Sequence, residues 1–352
     1  MEKERTTKVL DTERFIQDIL KTLDRDRERE IVARRFGLFD HKETLEQIGE
    51  LLGITRERVR QLEKSVVARL KALAEQGQVP HIEEVEQVLL EYLHQHGEAA
   101  RVTDISKNLT TEDTKTDQFR ITFLAMLGPK LAVLEDTDHY HYAIGVREVR
   151  DEKAIKTAVS DIVEAIKQLG KPVTIEEVAG ATHIADVAQA KALAGISRDL
   201  ATLSDRWGLV KWPMVNPKNI RDKIYVILKE NGHHMHFNDI SAAIKESDFK
   251  RKDVTTQAIH NELIKDRRFV LIGRGIYALK EWGYEKGTVS DIITEVLRKE
   301  GGPLHRDEIV KRVLHSRFVK ETTILLNLQG KPQFKRVAKA TYALADVETN
   351  RT

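Results

Sequence analysis

Residues 44–64 read TLEQIGELLGITRERVRQLEK. Leu45, Ile48, Leu51 and Leu52 lay one apolar stripe along a first helix. Gly53 supplies the left-handed conformation that a tight turn between helices needs, without a steric penalty. Ile54 plugs the turn, Thr55 stands as the N-cap of a second helix, and Gly49 is small where the two helices must approach. Val59 and Leu62 face back toward the first helix. Arg56, Glu57, Arg58, Arg60, Gln61 and Lys64 are left on the outer face, a set that suits a helix lying in the major groove. There arginine pairs with guanine, glutamine with adenine, and glutamate accepts from cytosine. The plainer reading of the same pattern is a solvated helical hairpin, since charge on a helix is usually surface.

The neighbouring residues favour the first reading. Arg27-Glu28-Arg29-Glu30-Ile31-Val32, Arg35-Phe36-Gly37-Leu38, Thr44-Leu45-Glu46-Gln47-Ile48-Gly49 and Thr55-Arg56-Glu57-Arg58-Val59-Arg60-Gln61-Leu62-Glu63 occur in that order. Together, over about residues 10–75, they resemble region 4 of the sigma-70 family, the bacterial sigma-factor module that recognises the promoter −35 element. The resemblance implies that Arg56 and Glu57 read base edges and that Arg60 and Gln61 add major-groove contacts. Thr55 and Arg58 then lie near the DNA backbone, and Lys64 is a phosphate contact or solvated. Leu45 and Glu46 open the first helix, where backbone N–H groups and the helix dipole favour a phosphate. The resemblance also implies double-stranded DNA as partner, and the RNA polymerase core through its β flap. The flap would meet the side that carries Phe15, Ile16, Ile19, Leu20 and Leu23; from the residues alone, that stripe reads as core.

Composition sets the outer limits. With 352 residues, length alone suggests two or three domains. Charged residues make up 32% and aromatics 6%, and the net charge is only +2, so bulk charge does not announce a nucleic-acid binder. Its distribution is uneven: residues 81–150 carry 7 basic against 13 acidic side chains, and 287–352 carry 12 against 8. The absence of cysteine removes disulfides, thiol catalysis and cysteine-based zinc sites. A charged N-terminus and the lack of a long apolar run predict a soluble intracellular protein without a membrane segment; the resemblance to sigma region 4 implies the bacterial cytoplasm and nucleoid.

Beyond Pro80 the chain repeats. VLLEYLHQHGEA, DIVEAIKQLGKPV, KIYVILKENGHHM and IITEVLRKEGGPL each begin a segment with an amphipathic helix and a break, matched at Gly97, Gly170, Gly232 and Gly302. A short second helix follows in each, and a capped third helix is visible in the last two. Each segment closes on a β-type stretch, matched at Tyr142, Trp212, Tyr277 and Tyr342. Three helices and a hairpin make a winged helix-turn-helix. The expected fold is mainly α with short β-hairpins: an N-terminal helix-turn-helix module (1–78), then tandem winged domains at 81–150, 151–215, 216–284 and 287–347. Residues 216–284 resemble the HARE-HTH winged helices, a family that includes a domain of the RNA polymerase δ subunit; 287–347 look like a divergent second copy. In these two, Lys250, Arg251, Lys252, Thr255, Gln257, Arg274, Lys335 and Arg336 are candidate DNA contacts, against a protein-docking surface as the alternative.

Catalysis is not expected, because no P-loop, nucleophile elbow or informative carboxylate pair is present. His233-His234-Met235-His236 lacks the converging partners of a metal site, so neither metal nor cofactor is expected. His139-Tyr140-His141-Tyr142 alternates as a wing strand would. Nothing resembles sigma region 2, which melts promoters. The leading expectation is a sequence-specific DNA-binding transcription protein acting in initiation or its regulation. The alternatives are a δ-like polymerase accessory protein and a DNA-recognition component of a restriction or defence system.

Overall fold

Local signals in the first eighty residues start and stop four helices: α1 (Thr12–Lys21), α2 (Asp26–Phe36), α3 (Leu45–Leu52) and α4 (Arg56–Glu75). Asp11 caps α1 by accepting the Arg14 N–H, and α2 stops on Gly37 at φ 65°. Thr44 and Gln47 exchange hydrogen bonds in a capping box at α3, and the Thr55 hydroxyl accepts the Arg58 N–H at α4. The computed structural model describes residues 9–251, 253–284 and 286–345. Their internal contacts divide the chain into two units, residues 1–211 and 212–352.

The first unit continues with α5 (Ile82–Gln95), β1 (Ala99–Arg101), α6 (Val102–Leu109), α7 (Lys115–Leu127), β2 (Leu131–Leu134) and β3 (Ala143–Val146). It ends with α8 (Glu152–Leu169), α9 (Ile175–Thr182), α10 (Val187–Ile196), β4 (Leu200–Leu203) and β5 (Arg206–Leu209). The second unit holds α11 (Ile220–Asn231), β6 (Met235–His236), α12 (Phe237–Glu246), α13 (Thr256–Lys265), β7 (Phe269–Gly273) and β8 (Ile276–Leu279). A short 3-10 turn at Lys280–Trp282 precedes α14 (Val289–Glu300), β9 (Leu304–His305), α15 (Arg306–Ser316), α16 (Glu321–Gly330), β10 (Phe334–Ala338) and β11 (Thr341–Leu344).

The same element order therefore recurs four times after α4: helix, short extended stretch, two helices, hairpin. In three copies the last strand lies between the other two, in the orders β1-β3-β2, β6-β8-β7 and β9-β11-β10. In the remaining copy, the second in the chain, a single bridge between Val173 and Trp207 stands in for the first strand beside β5. The chain is mainly α with small antiparallel hairpins, a helix-turn-helix module followed by winged helices in tandem.

Several details depart from the sequence reading. The third helix is present in all four copies; α7 and α10 have no sequence signal of a helix because their polar and apolar residues are mixed around the axis and leave no amphipathic period. In the second copy the closing aromatic is Trp207, which bridges Val173 as Tyr277 pairs with Met235 and Tyr342 with Leu304; Trp212 lies past the strand. The break after α14 is at Gly301, φ 72°, one residue before Gly302. Residues 139–142 are not a strand: Tyr140 makes one bridge to Ser197, and His139 pairs with Asp199 at 2.9 Å. Leu51 is exposed, because it falls at the edge of the α3 stripe.

One hydrophobic core runs from Leu10 to Val146. It joins Phe15, Ile16, Ile19, Leu20 and Leu23 of the first helix and its turn to Ile121, Phe123 and Leu124 of α7. The stripe at 15–23 is thus covered by the chain itself. A polar latch crosses the same junction. The Arg120 Nε donates to the Leu38 carbonyl at 2.7 Å, its Nη2 to Glu13 at 3.1 Å, and its Nη1 reaches Asp117 at 3.5 Å. Asp117 also accepts from the Thr12 hydroxyl at 2.8 Å and from the Thr114 hydroxyl and N–H. Burial pushes the Asp117 carboxyl up, but the bonds from Thr114 and Thr12, with the Arg120 charge, more than offset this and hold it below its usual value. Lys42 adds a 3.0 Å bond to the Tyr142 hydroxyl and sits over the Phe119 ring.

Candidate nucleic-acid interface

The helix-turn-helix stands on a small core of its own. Ile31, Ile48 and Val59 are fully buried, and Leu45, Leu52, Ile54 and Leu62 pack around them. A Cβ added at Gly49 would lie 2.7 Å from the Ile54 carbonyl oxygen, so only glycine lets α3 come this close to the turn. Gly53 has φ 63°, as the tight turn requires. Arg27 donates to the Leu52 carbonyl at 3.0 Å and so satisfies the end of α3. Two ion pairs tie α2 to α4: Arg35 with Glu63 at 3.4 Å, and Arg69 with Glu28 at 2.5 Å. The sequence reading assigned these bracing residues no role; the interhelical acid–base pairing is visible only in three dimensions.

With that frame fixed, Thr55, Arg56, Glu57, Arg58, Gln61 and Lys64 are exposed, and Arg60 is partly so. Their polar ends pair with one another rather than with the core. Arg56 donates to Glu46 at 2.6 Å, bridging the two helices of the motif. Arg60 grips Glu57 with both Nε and Nη2, at 2.8 and 2.6 Å, and Arg58 meets Gln61 at 3.3 Å. The Arg60 guanidinium holds the Glu57 carboxyl below the usual carboxylate range, while Glu57 raises Arg60 in return. Glu46 is lowered first by its own backbone N–H and then by Arg56. Its carboxylate therefore lies over the α3 N-terminus, where a phosphate was expected. Leu45 contributes a half-buried side chain to the small core, so only its backbone is available there. Such exposed pairs are weak and screened by salt, which leaves the cations free to exchange partners.

The third helices of the two following copies are arranged differently. α7 buries Asp117, Arg120, Ile121, Phe123, Leu124, Ala125 and Leu127. α10 buries Ala190, Leu193, Ala194 and Ile196, and comes so close that a Cβ at Gly97 would lie 2.3 Å from the Ala188 carbonyl oxygen. In the second unit the third helices are open on one side. Thr255 caps α13 through the Ala258 N–H, and Gln257 and Asn261 pair at 3.1 Å on its exposed face. Lys250 and Arg251 are exposed in the approach to α13, held there by Lys223, whose Nζ donates to the Arg251 carbonyl at 2.6 Å. Lys252 lies outside the described residues. Arg274 is exposed at the tip of the β7–β8 hairpin, and Lys335 and Arg336 are exposed on β10.

Among the described residues no cluster of histidine and acidic side chains could hold a metal. The histidine tract is instead structural. His233 bonds the Asn231 carbonyl, His234 rests against Phe318, and His236 caps α12 by accepting the Asn238 N–H. No helix of the described residues is long and apolar enough to cross a membrane.

Residues 19–72 match the family model of sigma-70, region 4. Fifty-eight residues, 16% of this chain, are 47% identical to an RNA polymerase sigma factor, sigB, of Arabidopsis thaliana; the match spans 10% of that protein's length. The matched stretch contains all of α2 and α3 and most of α4, so the likeness to the sigma factors falls on the helix-turn-helix.

Proposed function

We propose that the protein binds double-stranded DNA in a sequence-specific way, with α4 in the major groove of a promoter element of the −35 type, and acts in transcription initiation or its regulation. The observation that carries this reading is the outer face of α4, in the segment that matches sigma region 4. Its charged side chains are exposed or partly so, and their bonds are to other surface side chains of α3 and α4. In this reading Arg56, Glu57, Arg60 and Gln61 meet base edges, while Thr55, Arg58 and Lys64 approach phosphates. Binding replaces Glu46 and Glu57, as partners of Arg56 and Arg60, with bases and phosphates. When Glu46 swings away, the Leu45 and Glu46 N–H groups at the start of α3 face a phosphate.

The chain is read as five domains, of which 81–150 and 151–215 are scaffold. Their third helices are buried against neighbouring segments, and the first of the two is acidic. In 216–284 and 287–347, Lys250, Arg251, Thr255, Gln257, Arg274, Lys335 and Arg336 would add phosphate contacts. RNA polymerase core is the proposed protein partner in the bacterial cytoplasm, through a surface other than the stripe at Phe15–Leu23, which the chain already covers.

Selection of preferred sites from random duplex DNA by the full chain tests the reading. Recovery of one motif, lost in an Arg56→Ala/Gln61→Ala variant of unchanged stability, is the expected result. Recovery of the same motif by the variant would move specificity to the winged helices. Recovery of no motif, with retention on core polymerase, would leave an accessory polymerase-binding protein.

A further inference from the structure

Among the described residues, the second unit buries a guanidinium that is only partly satisfied. Arg317 follows α15 and is only 6% exposed. Its Nη1 donates to the Leu271 carbonyl on β7, and the next residue continues the contact, the Phe318 N–H donating to the Ile272 carbonyl at 3.0 Å. These bonds dock residues 317–318 on the edge of β7. They also leave the other side of the guanidinium, Nε and Nη2, buried without a hydrogen-bond partner among the described residues. Asp291, the acid whose field Arg317 feels, accepts at Oδ2 from the Thr288 N–H at 2.6 Å and from the Thr288 hydroxyl at 2.8 Å. A buried guanidinium with two empty donors is unfavourable, so its site is incomplete without an acceptor.

Arg317 lines a cavity of about 540 Å³, a size usual for small-molecule sites. Ile264, Leu271, Tyr277 and Val319 supply apolar walls, and Ile264 and Leu271 are large hydrophobic side chains left exposed. The charged lining residues are Arg274, Lys286 and Arg317, and among the described residues no carboxylate joins them. The unfilled Nε–Nη2 edge presents two parallel N–H groups, the fork that matches the two oxygens of a carboxylate or phosphate.

We propose that this cavity between the two winged segments of the second unit binds a small organic anion, its carboxylate or phosphate head on the Nε–Nη2 edge of Arg317 and its apolar body against Ile264, Leu271 and Val319. The ligand bridges the β7 edge of one segment and the start of α14 in the next, so its binding tightens the joint between them. This site is independent of α4.

The test titrates the full chain with benzoate, octanoate and phenyl phosphate, using benzamide as a neutral isostere and inorganic phosphate as a bare head. Calorimetry and thermal unfolding are the readouts. At least one of the three amphiphilic anions is expected to bind and raise Tm, with benzamide and inorganic phosphate at least tenfold weaker. Arg317→Met should weaken the anion at least tenfold. Ile264→Asp, at an exposed position that leaves folding intact, should weaken it severalfold even if the Arg317 variant proves unstable. Equal binding of benzoate and benzamide, undiminished binding by Ile264→Asp, or no binding of any anion would overturn the proposal. So would a result in which only duplex DNA protects the unit and Arg317→Met lowers DNA affinity, because the acceptor would then be a DNA phosphate.

Discussion

Helices α4 and α7 both close a three-helix arrangement at the place where such folds present a helix to DNA, yet they do opposite things. α4 buries Val59, Val66, Leu70 and Ala74 along one stripe and turns Arg56, Glu57, Arg58 and Gln61 outward. α7 is enclosed: Arg120 and Asp117, its charged pair, lie in the junction with α1 and hold the two segments together. The same fold element presents an open charged face in one place, the proposed reader, and forms a joint in the other. The difference lies in where the charges find partners, on the surface for α4 and across a buried interface for α7. Fold alone does not assign the role.

The largest effect expected from this contrast is at Arg120. Removing one partner of a buried ionic network leaves the others uncompensated, so Arg120→Ala should lose about 3–5 kcal/mol of stability. Denaturant unfolding should show one transition for residues 10–146 in the wild type and a separated or earlier one in the variant. A loss below ~1 kcal/mol would mean that the apolar core alone makes the joint. Asp117 sharpens the point through pH. Its folded carboxyl lies below its ordinary value, so its contribution is fully present above about pH 4 and is lost as pH falls through the lower folded value. The stability gap between the wild type and Asp117→Asn, measured by denaturation across pH 2–7, roughly the range in which a carboxyl titrates, should therefore narrow toward the acid end; a gap constant with pH would break the argument.

On the reader side, Gly49→Ala drives a Cβ into the Ile54 carbonyl. It should destabilise the helix-turn-helix by about 1–3 kcal/mol and weaken DNA binding, as followed by circular dichroism and duplex titration. Arg56→Ala and Gln61→Ala should leave stability almost unchanged, each losing roughly 1–3 kcal/mol of base discrimination; equal losses on preferred and scrambled duplexes would count against direct readout. The smallest effect belongs to Glu57→Gln. It frees Arg60 from its carboxylate partner and should strengthen non-specific binding modestly, with a steeper salt dependence.

The reader was legible in the sequence because its determinants are local. The caps Thr44 and Thr55, the turn glycine Gly53 and the spacing of Ile48, Val59 and Leu62 all lie within one short stretch. The winged repeat was legible for the same reason in the second unit, where α13 and α16 carry one exposed face each. The joint was not. Arg120 meets partners at Leu38 and Glu13, far away in the chain, and the polar residues of α7 are not gathered on one face that would mark it as a helix. The second copy hid its hairpin because Val173 contributes a lone bridge instead of a strand. In the histidine tract, Met235 and His236 form β6 and pair with β8, so a strand follows directly on the break at Gly232.

The continuous core from Leu10 to Val146 has a consequence for how a bound molecule would point. With the first helix and α7 sharing one interior, the body at 81–146 cannot swivel about α4 as a tethered domain would. A non-palindromic site admits α4 in one direction only, so the body would leave the duplex on a fixed side and at a fixed helical phase. Inverting the site would turn the whole first unit round with it. Moving the site by half a helical turn would carry that body to the opposite side of the DNA.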